Sequence, residues 1–183
     1  MRPRTLACAA IVFALVAVGP QPAPARVFQT KDDAARAAFP DADAVQKRVV
    51  TLDDAQMAQV ARLAGSAPAS KVTTFFVATK SAAPIGYAFI DIDVVRTLPA
   101  TFLIVITPDG SVKNIETIAF YEPDEYLPPK PWMAQFDGKM LSPALRLRGE
   151  INGIAGATLS SQAVTAAVRR SLARFAVLLK GAR

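Results

Sequence analysis

Four short hydrophobic runs between residues 72 and 121 restrict the fold more than any other feature of the sequence. Each run is rich in β-branched and aromatic residues, as strands are, and turn residues separate one run from the next. The tripeptide Pro108-Asp109-Gly110 is a strong hairpin signal between the last two runs. We predict about four strands of one antiparallel sheet. The runs are Val72 with Phe75 to Ala78, Ile85 to Val95, Phe102 to Thr107, and Val112 to Tyr121.

Helical patterns flank the predicted strands. Thr30 and the two acids that follow it predict a capped helix that ends at Pro40, and a second helix is expected between Thr51 and Gly65. Residues 161–179 predict a last core helix, with an apolar stripe and with basic residues toward its end. This order predicts an α+β fold, in which the antiparallel sheet packs with N-terminal helices and a C-terminal helix.

The first 25 residues have the pattern of a secretory signal. Basic residues at the start are followed by the apolar run Leu6 to Val18, and Ala23-Pro24-Ala25 has the small residues that signal peptidase reads. The apolar run is shorter than the roughly 20 residues that span a bilayer. We interpret residues 1–25 as a cleaved signal and the protein as periplasmic or otherwise exported. An uncleaved anchor, which would keep the protein at the membrane, is the alternative.

Composition excludes several classes of chemistry. The chain has no histidine, and its one cysteine, Cys8, lies in the predicted signal. The mature protein therefore has no disulfide, no thiol or Ser-His catalysis, and no Cys or His metal site. The formal charge of +6 falls to +4 when Arg2 and Arg4 are removed. Because this excess is modest and the protein is expected to be exported, we expect no nucleic-acid partner.

Two acids, Asp91 and Asp93, share one face of the second run, because side chains alternate along a strand. Two acids on one face are compatible with a metal site. A solvated strand face is the alternative, and we favour it. We therefore predict no metal ligands in this chain.

Residues 150–161, just before the last predicted helix, carry the clearest chemical signal. A helix N-terminus presents unpaired N–H groups and a positive dipole end, so it favours a phosphate. Gly153 and Gly156 permit close approach of a ligand to the backbone. An ordinary N-cap is the alternative, and physics alone favours it. The motif is not a P-loop, since no lysine follows its last glycine, Gly156, at the Walker spacing. Three hydroxyls follow, at Thr158, Ser160 and Ser161.

The run from Asn152 to Ser161 resembles the attachment motif of the FMN-binding domain family, which includes flavin subunits of the Rnf and sodium-pumping NADH:quinone reductase complexes. That motif commonly reads Asp-x-x-Ser-Gly-Ala-Thr-x-Ser/Thr, so Asn152 and Ala155 replace its acid and its serine. In the family, an ApbE-type flavin transferase esterifies the phosphate of FMN to the threonine, which implies Thr158 here. Noncovalent FMN remains the alternative.

Other segments resemble small stand-alone members of the same family. The resemblance covers most of residues 70–175, and we assign residues 66–183 to the FMN-binding domain and residues 26–65 to its helical N-terminal portion. The similar segments are Phe39-Pro40, Gly86-Tyr87, Pro108-Asp109-Gly110, Tyr121-Glu122-Pro123 and residues 132–139.

The resemblance also implies residues that would contact FMN. Around the attachment point they include Asn152, Gly156, Ala157, Leu159, Ser160 and Ser161. Aromatic faces and polar groups for the ring are expected among Tyr121, Glu122, Trp132, Phe136 and Lys139. Arg148, together with Arg146, is a candidate partner of the phosphate. For the aromatic residues a place in the core is the alternative, and for the charged residues a solvated surface.

These expectations indicate a protein that relays electrons through FMN. Its expected partners are a flavin transferase and a membrane-associated electron donor or acceptor. No acid–base machinery is evident, so a free-standing dehydrogenase is not expected. A flavin-free adaptor of the same fold and a flavin-dependent reductase of a small-molecule acceptor are the alternatives.

Overall fold

The computed structural model describes residues 26–180 of the chain. The predicted signal, residues 1–25, lies outside this range. Within the range, no helix is both long and apolar enough to cross a membrane. The structure has the predicted α+β architecture, with a single antiparallel sheet and four α-helices among the described residues.

The sheet has six strands in the order β1-β6-β5-β4-β3-β2. The four predicted runs form β3 to β6, and Gly110, at a φ of 97°, lies in the predicted turn between β5 and β6. Every neighbouring pair is antiparallel. The strands are β1 Arg26–Val27, β2 Ala44–Thr51, β3 Val72–Lys80, β4 Ala83–Val94, β5 Pro99–Ile106 and β6 Val112–Phe120.

Two of the described α-helices precede β3 in the sequence, and two follow β6. They are α1 Lys31–Ala37, α2 Asp54–Ala64, α3 Lys130–Met133 and α4 Thr158–Phe175. Single turns of 3₁₀-helix span Asp124–Tyr126 and Ala134–Phe136, and a π-helical turn, Ala176–Lys180, follows α4. The last helix begins at Thr158, three residues before the predicted start at residue 161. It ends at Phe175, and the π-helical turn takes the place of the predicted helix up to Leu179.

The N-terminal portion, which we expected to be helical, also contributes strands β1 and β2. Five of the eight residues of β2 are exposed, because it is an edge strand that pairs, among the described strands, with β3 alone. Lys47 and Arg48 interrupt its hydrophobic pattern, as charged residues commonly do on edge strands. The sequence pattern of a half-solvated edge strand is weak, which is why the prediction missed it.

The ends of the first two helices follow ordinary capping chemistry. The Thr30 hydroxyl accepts a hydrogen bond from the N–H of Asp33, as predicted. The second helix begins at Asp54 and not at Thr51, because Thr51 still pairs with Val72 in the sheet. Asp53 is its N-cap, and the left-handed Gly65 ends it, as predicted.

Different helices pack on the two faces of the sheet. The face that packs against α4, here called the inner face, includes Phe75, Phe89 and Phe102. The opposite outer face is covered in part by α1, through Ala34 and Ala35. The predicted stripe of α4 is confirmed as core. Its buried members are Val164, Val168, Leu172 and Phe175.

Asp91 and Asp93 do not form a solvated strand face, so that prediction was wrong. Asp91 is 2% exposed and accepts hydrogen bonds from Arg170 Nη2 at 2.6 Å and Arg174 Nη1 at 2.7 Å. Asp93 accepts from Arg170 Nη2 at 2.7 Å. The acids face α4, and two arginines that looked like part of a basic surface are buried against them. Among residues 26–180, no three or more His, Cys, Asp or Glu side chains form a group that could hold a metal.

Candidate functional site

Thr158 is the first residue of α4, and its side chain is exposed. The N-cap is Ala157, whose methyl group cannot accept a hydrogen bond, and no side chain among the described residues caps this helix. Neither Thr158 nor the serines after it serve as the N-cap that physics alone favoured. The first turn of an 18-residue helix therefore keeps its N–H groups free of a side-chain cap, which is the arrangement that favours an anion.

A cavity of about 280 Å³ opens beside this helix start. Three segments meet there: the β4–β5 loop, the segment after β6, and the beginning of α4. The lining residues are Val95, Arg96, Glu122, Tyr126, Gly156, Ala157, Thr158, Leu159 and Ser160. We call this cavity the Thr158 pocket.

Two adjacent serines in the first turn of α4 have different roles. Ser161 is fully buried and donates to the carbonyl oxygen of Ala157, while its hydroxyl also accepts the N–H of Ile154 at 3.1 Å. Ser161 thus fastens the preceding loop to the helix. Ser160 is 1% exposed and lines the Thr158 pocket, but its hydroxyl has no hydrogen-bond partner among the described residues. A buried hydroxyl without a partner is costly, so Ser160 carries a hydroxyl that the fold does not use.

Glu122 lines the pocket and fixes the β4–β5 loop, which also contributes to the lining. Its Oε1 accepts the N–H groups of Arg96 at 3.2 Å, Thr97 at 2.7 Å and Leu98 at 2.9 Å. The hydrogen bond from Thr97 is the largest cause that lowers the pKa of Glu122, although burial opposes it. The carboxylate therefore stays ionised and holds Arg96 at the rim of the pocket.

Trp132 and Phe136 lie in the core rather than in the pocket. Their rings meet edge to face, with centroids 5.6 Å apart. Trp132 Nε1 donates to the carbonyl oxygen of Asn152 at 2.7 Å, and Gln135 accepts the N–H of Asn152 at 3.0 Å. Trp132 and Gln135 thus hold the backbone at the start of the motif, and neither Trp132 nor Phe136 lines the cavity beside Thr158.

The predicted cationic partners also lie outside the pocket lining. Lys139 pairs with Glu150 at 3.1 Å, and this hydrogen bond is the main cause that lowers the pKa of Glu150. Arg148 is exposed in a turn at a φ of 59°, and its N–H donates to the carbonyl oxygen of Ile151. Tyr121 and Arg146 do not line the pocket either.

Apart from Tyr121 and Arg146, twelve residues were predicted to contact FMN, and half of them line the pocket. Six line the pocket: Glu122, Gly156, Ala157, Thr158, Leu159 and Ser160. Six others do not: Trp132, Phe136, Lys139, Arg148, Asn152 and Ser161.

Three lining residues were missed: Val95, Arg96 and Tyr126. Val95 and Arg96 belong to a hairpin loop far from the motif in sequence. Only the sheet topology brings this loop to the start of α4, and the sequence gives no short-range signal of that contact.

Residues 98–173 match the family model of the FMN-binding domain. The match confirms the resemblance seen in the motif and supports a flavin-binding role. It includes Glu122, Tyr126 and the start of α4, but it begins after Val95 and Arg96. A search of curated proteins found no match to this chain.

Proposed function

We propose, since residues 98–173 match the family model of the FMN-binding domain, that this protein is an exported flavoprotein that relays electrons through FMN. In this proposal an ApbE-type transferase breaks the diphosphate bond of FAD, releases AMP, and joins the FMN phosphate to the hydroxyl oxygen of Thr158 as a phosphoester. The observation that carries it is the exposed Thr158 at an uncapped helix start, beside a pocket that contains the unpartnered hydroxyl of Ser160.

The residues of the pocket suit the phosphate end of FMN. The N–H groups of the first turn of α4 and the Ser160 hydroxyl supply neutral donors, and Arg96 supplies a cation on the opposite wall. Gly156, at a φ of 82°, has nothing within 4 Å of a built Cβ, so the motif backbone leaves open space there. These groups would fix the phosphate without any lysine of a P-loop.

The size of the pocket supports a relay. Ligand sites that enclose a whole drug-sized molecule measure about 300–1,000 Å³. The Thr158 pocket, at about 280 Å³, would cover only part of FMN and leave part of it open to a partner. FMN supplies the one- and two-electron chemistry, while the protein supplies tethering and position. The expected partner is a membrane-associated donor or acceptor.

Attachment can be tested by co-expression with a flavin transferase. On a denaturing gel under ultraviolet light, the wild-type band should fluoresce and Thr158→Ala should be dark, because the ester oxygen is lost. Mass spectrometry of the wild type should show the mass of one FMN added with loss of one water. Thr51→Ala, an exposed threonine at the end of β2, is the matched control and should fluoresce like the wild type.

Three outcomes would count against parts of the proposal. Fluorescence that persists in Thr158→Ala would overturn the attachment site. A band that is dark on the denaturing gel, from a native protein that is yellow, would show noncovalent FMN. A dark and colourless protein would favour the flavin-free adaptor. Turnover of an added small-molecule acceptor by the reduced protein, without a partner, would favour the reductase over the relay.

A further inference from the structure

Strand β6 has backbone partners on its outer edge only at its two ends. At one end it pairs with β1, and the carbonyl oxygen of Ile118 accepts the N–H of Phe28. At the other end, the N–H and C=O groups of Val112 bond to residues 138 and 139. Between these contacts, residues 113–117 have no backbone partner on this edge within the described part of the chain. Alternate residues of this stretch therefore present an open N–H and C=O group.

Two cavities follow the open stretch of β6. One, of about 470 Å³, contacts residues 115–117, and the other, of about 450 Å³, contacts Lys113, Asn114 and Glu116. Consecutive residues of a strand point alternately to the two faces of the sheet, so a cavity that contacts all of residues 115–117 lies at the edge of the strand. The cavities share lining residues and therefore adjoin each other. We call the two together the β6 groove.

The two cavities lie on opposite sides of this edge. Met133, which belongs to the core of the inner face, lines the larger cavity, whereas Ala34 of α1, on the outer face, lines the other. A strand laid in the groove would therefore alternate its side chains between an apolar cavity and a more polar one. The apolar residues of the larger cavity are Phe28, Ile115, Leu127, Pro128, Pro129 and Met133.

The charged residues in the two linings balance one another. Lys113 and Lys130 are cations, and Glu116 and Asp124 are anions. An uncharged segment thus fits the groove without leaving a charge in excess. Lys130 approaches Glu116 at 3.8 Å, but its side chain is 86% exposed. Such a surface pair contributes little to stability, so an entering strand can displace it.

We propose that the β6 groove binds an extended segment of a partner protein, which adds to the sheet as a short strand beside β6. Open backbone groups between two paired ends are completed by another strand, whose main chain bonds to the edge while its side chains enter the flanking cavities. The open stretch corresponds to about 17 Å of strand. The segment has apolar side chains toward the larger cavity and polar side chains toward the other, and it lacks proline at the paired positions.

A second copy of this chain fits the groove less well. The other edge of the described sheet is β2, which carries Lys47 and Arg48 at neighbouring positions. Because neighbouring side chains alternate, one of the two cations would enter the apolar cavity. The groove also shares no lining residue with the Thr158 pocket, so the proposal does not rest on the flavin.

The test pans a phage-displayed library of random short peptides on the mature protein. Enriched peptides should alternate apolar and polar residues over about five positions and contain no proline there. The strongest binder, synthesised without the phage, is then added to isotope-labelled protein. In NMR spectra the amide signals within residues 113–117 should shift, and their hydrogen exchange should slow, because the peptide occupies the open edge.

A matched pair of variants checks the apolar cavity. Phe28→Ala should weaken binding of the selected peptide about fivefold, because apolar contact area is lost. Val27→Ala removes an adjacent exposed apolar side chain that does not line the groove, so it should bind like the wild type. Flavin-loaded and flavin-free protein should bind equally well. A failure of flavin attachment would therefore leave this result unchanged.

Several results would overturn the proposal. They are a panning that enriches no peptide, enriched peptides that are rich in proline or do not alternate, equal losses in both variants, and amide shifts confined to other segments. A dimer detected by light scattering, with slowed exchange in residues 113–117, would overturn it as well. In that case a second copy of the chain, and not a partner protein, would occupy the groove.

Discussion

At the residue scale, the two serines in the first turn of α4 differ in their hydrogen bonds. Ser161 makes two hydrogen bonds that hold the motif loop, whereas the hydroxyl of Ser160 is buried beside the pocket and has no partner within residues 26–180. Both side chains are nearly inaccessible, so their exposure does not distinguish them. Only the hydrogen bonds show that Ser161 serves the fold, whereas Ser160 carries a hydroxyl that the fold does not use.

This difference predicts opposite effects of the same substitution. In the flavin-free protein, Ser160→Ala should raise the free energy of unfolding by up to about 1 kcal/mol, because an unsatisfied buried hydroxyl is removed. Ser161→Ala should lower it by roughly 1–2 kcal/mol, because its partners lose their bonds. Urea titration followed by circular dichroism measures both. Equal losses in the two variants would contradict the proposed role of Ser160.

At the scale of elements, Glu122 connects the end of β6 to the β4–β5 loop. Three N–H groups of that loop converge on one carboxylate oxygen, which therefore positions Arg96 in the lining of the pocket. Hydrogen bonds to an ionised carboxylate are stronger than those to a neutral group. The loop wall of the pocket thus depends on the charge of a single buried side chain.

Glu122→Gln should destabilise the protein by about 1–2 kcal/mol at pH 7, because a neutral amide replaces the ionised acceptor. The pKa of Glu122 is lowered below its ordinary 4.5 in the folded state. The stabilisation by its charge is therefore complete above that value and is lost as the pH falls through the lowered pKa. Unfolding free energies of wild type and variant should converge in that acidic range. A difference that does not change with pH would contradict this account.

The elements also show how far sequence reasoning reaches. Strands β3 to β6 were predictable, because they are buried enough to need continuous or alternating apolar residues. Strand β2 was not, because the edge position exposes most of its side chains. The motif located Thr158, but Arg96 and Tyr126 reach the pocket only through long-range packing. A single sequence does not indicate which distant segments of the chain pack together.

At the scale of the whole molecule, a buried charge network joins α4 to the sheet. Asp91 on β4 contacts Arg170 and Arg174, which lie one turn apart on the helix, and Asp93 adds a second contact to Arg170. Thr158 begins the same helix, so the network fixes the direction of the element that presents it. Alternation along β4 placed both acids on one face, but it did not indicate which face, and the exposed alternative was the wrong one.

Asp91→Asn should be the most destabilising of these substitutions, because it leaves two buried arginines with an uncompensated charge. Removing one partner of a buried ion pair costs about 3–5 kcal/mol. Asp93→Asn is the matched control. Its side chain is 27% exposed, and Arg170 keeps Asp91, so we expect a loss of about 1 kcal/mol or less. Urea unfolding of both variants measures the difference. If Asp91→Asn costs no more than Asp93→Asn, packing of the apolar stripe, and not the charge network, holds α4 on the sheet.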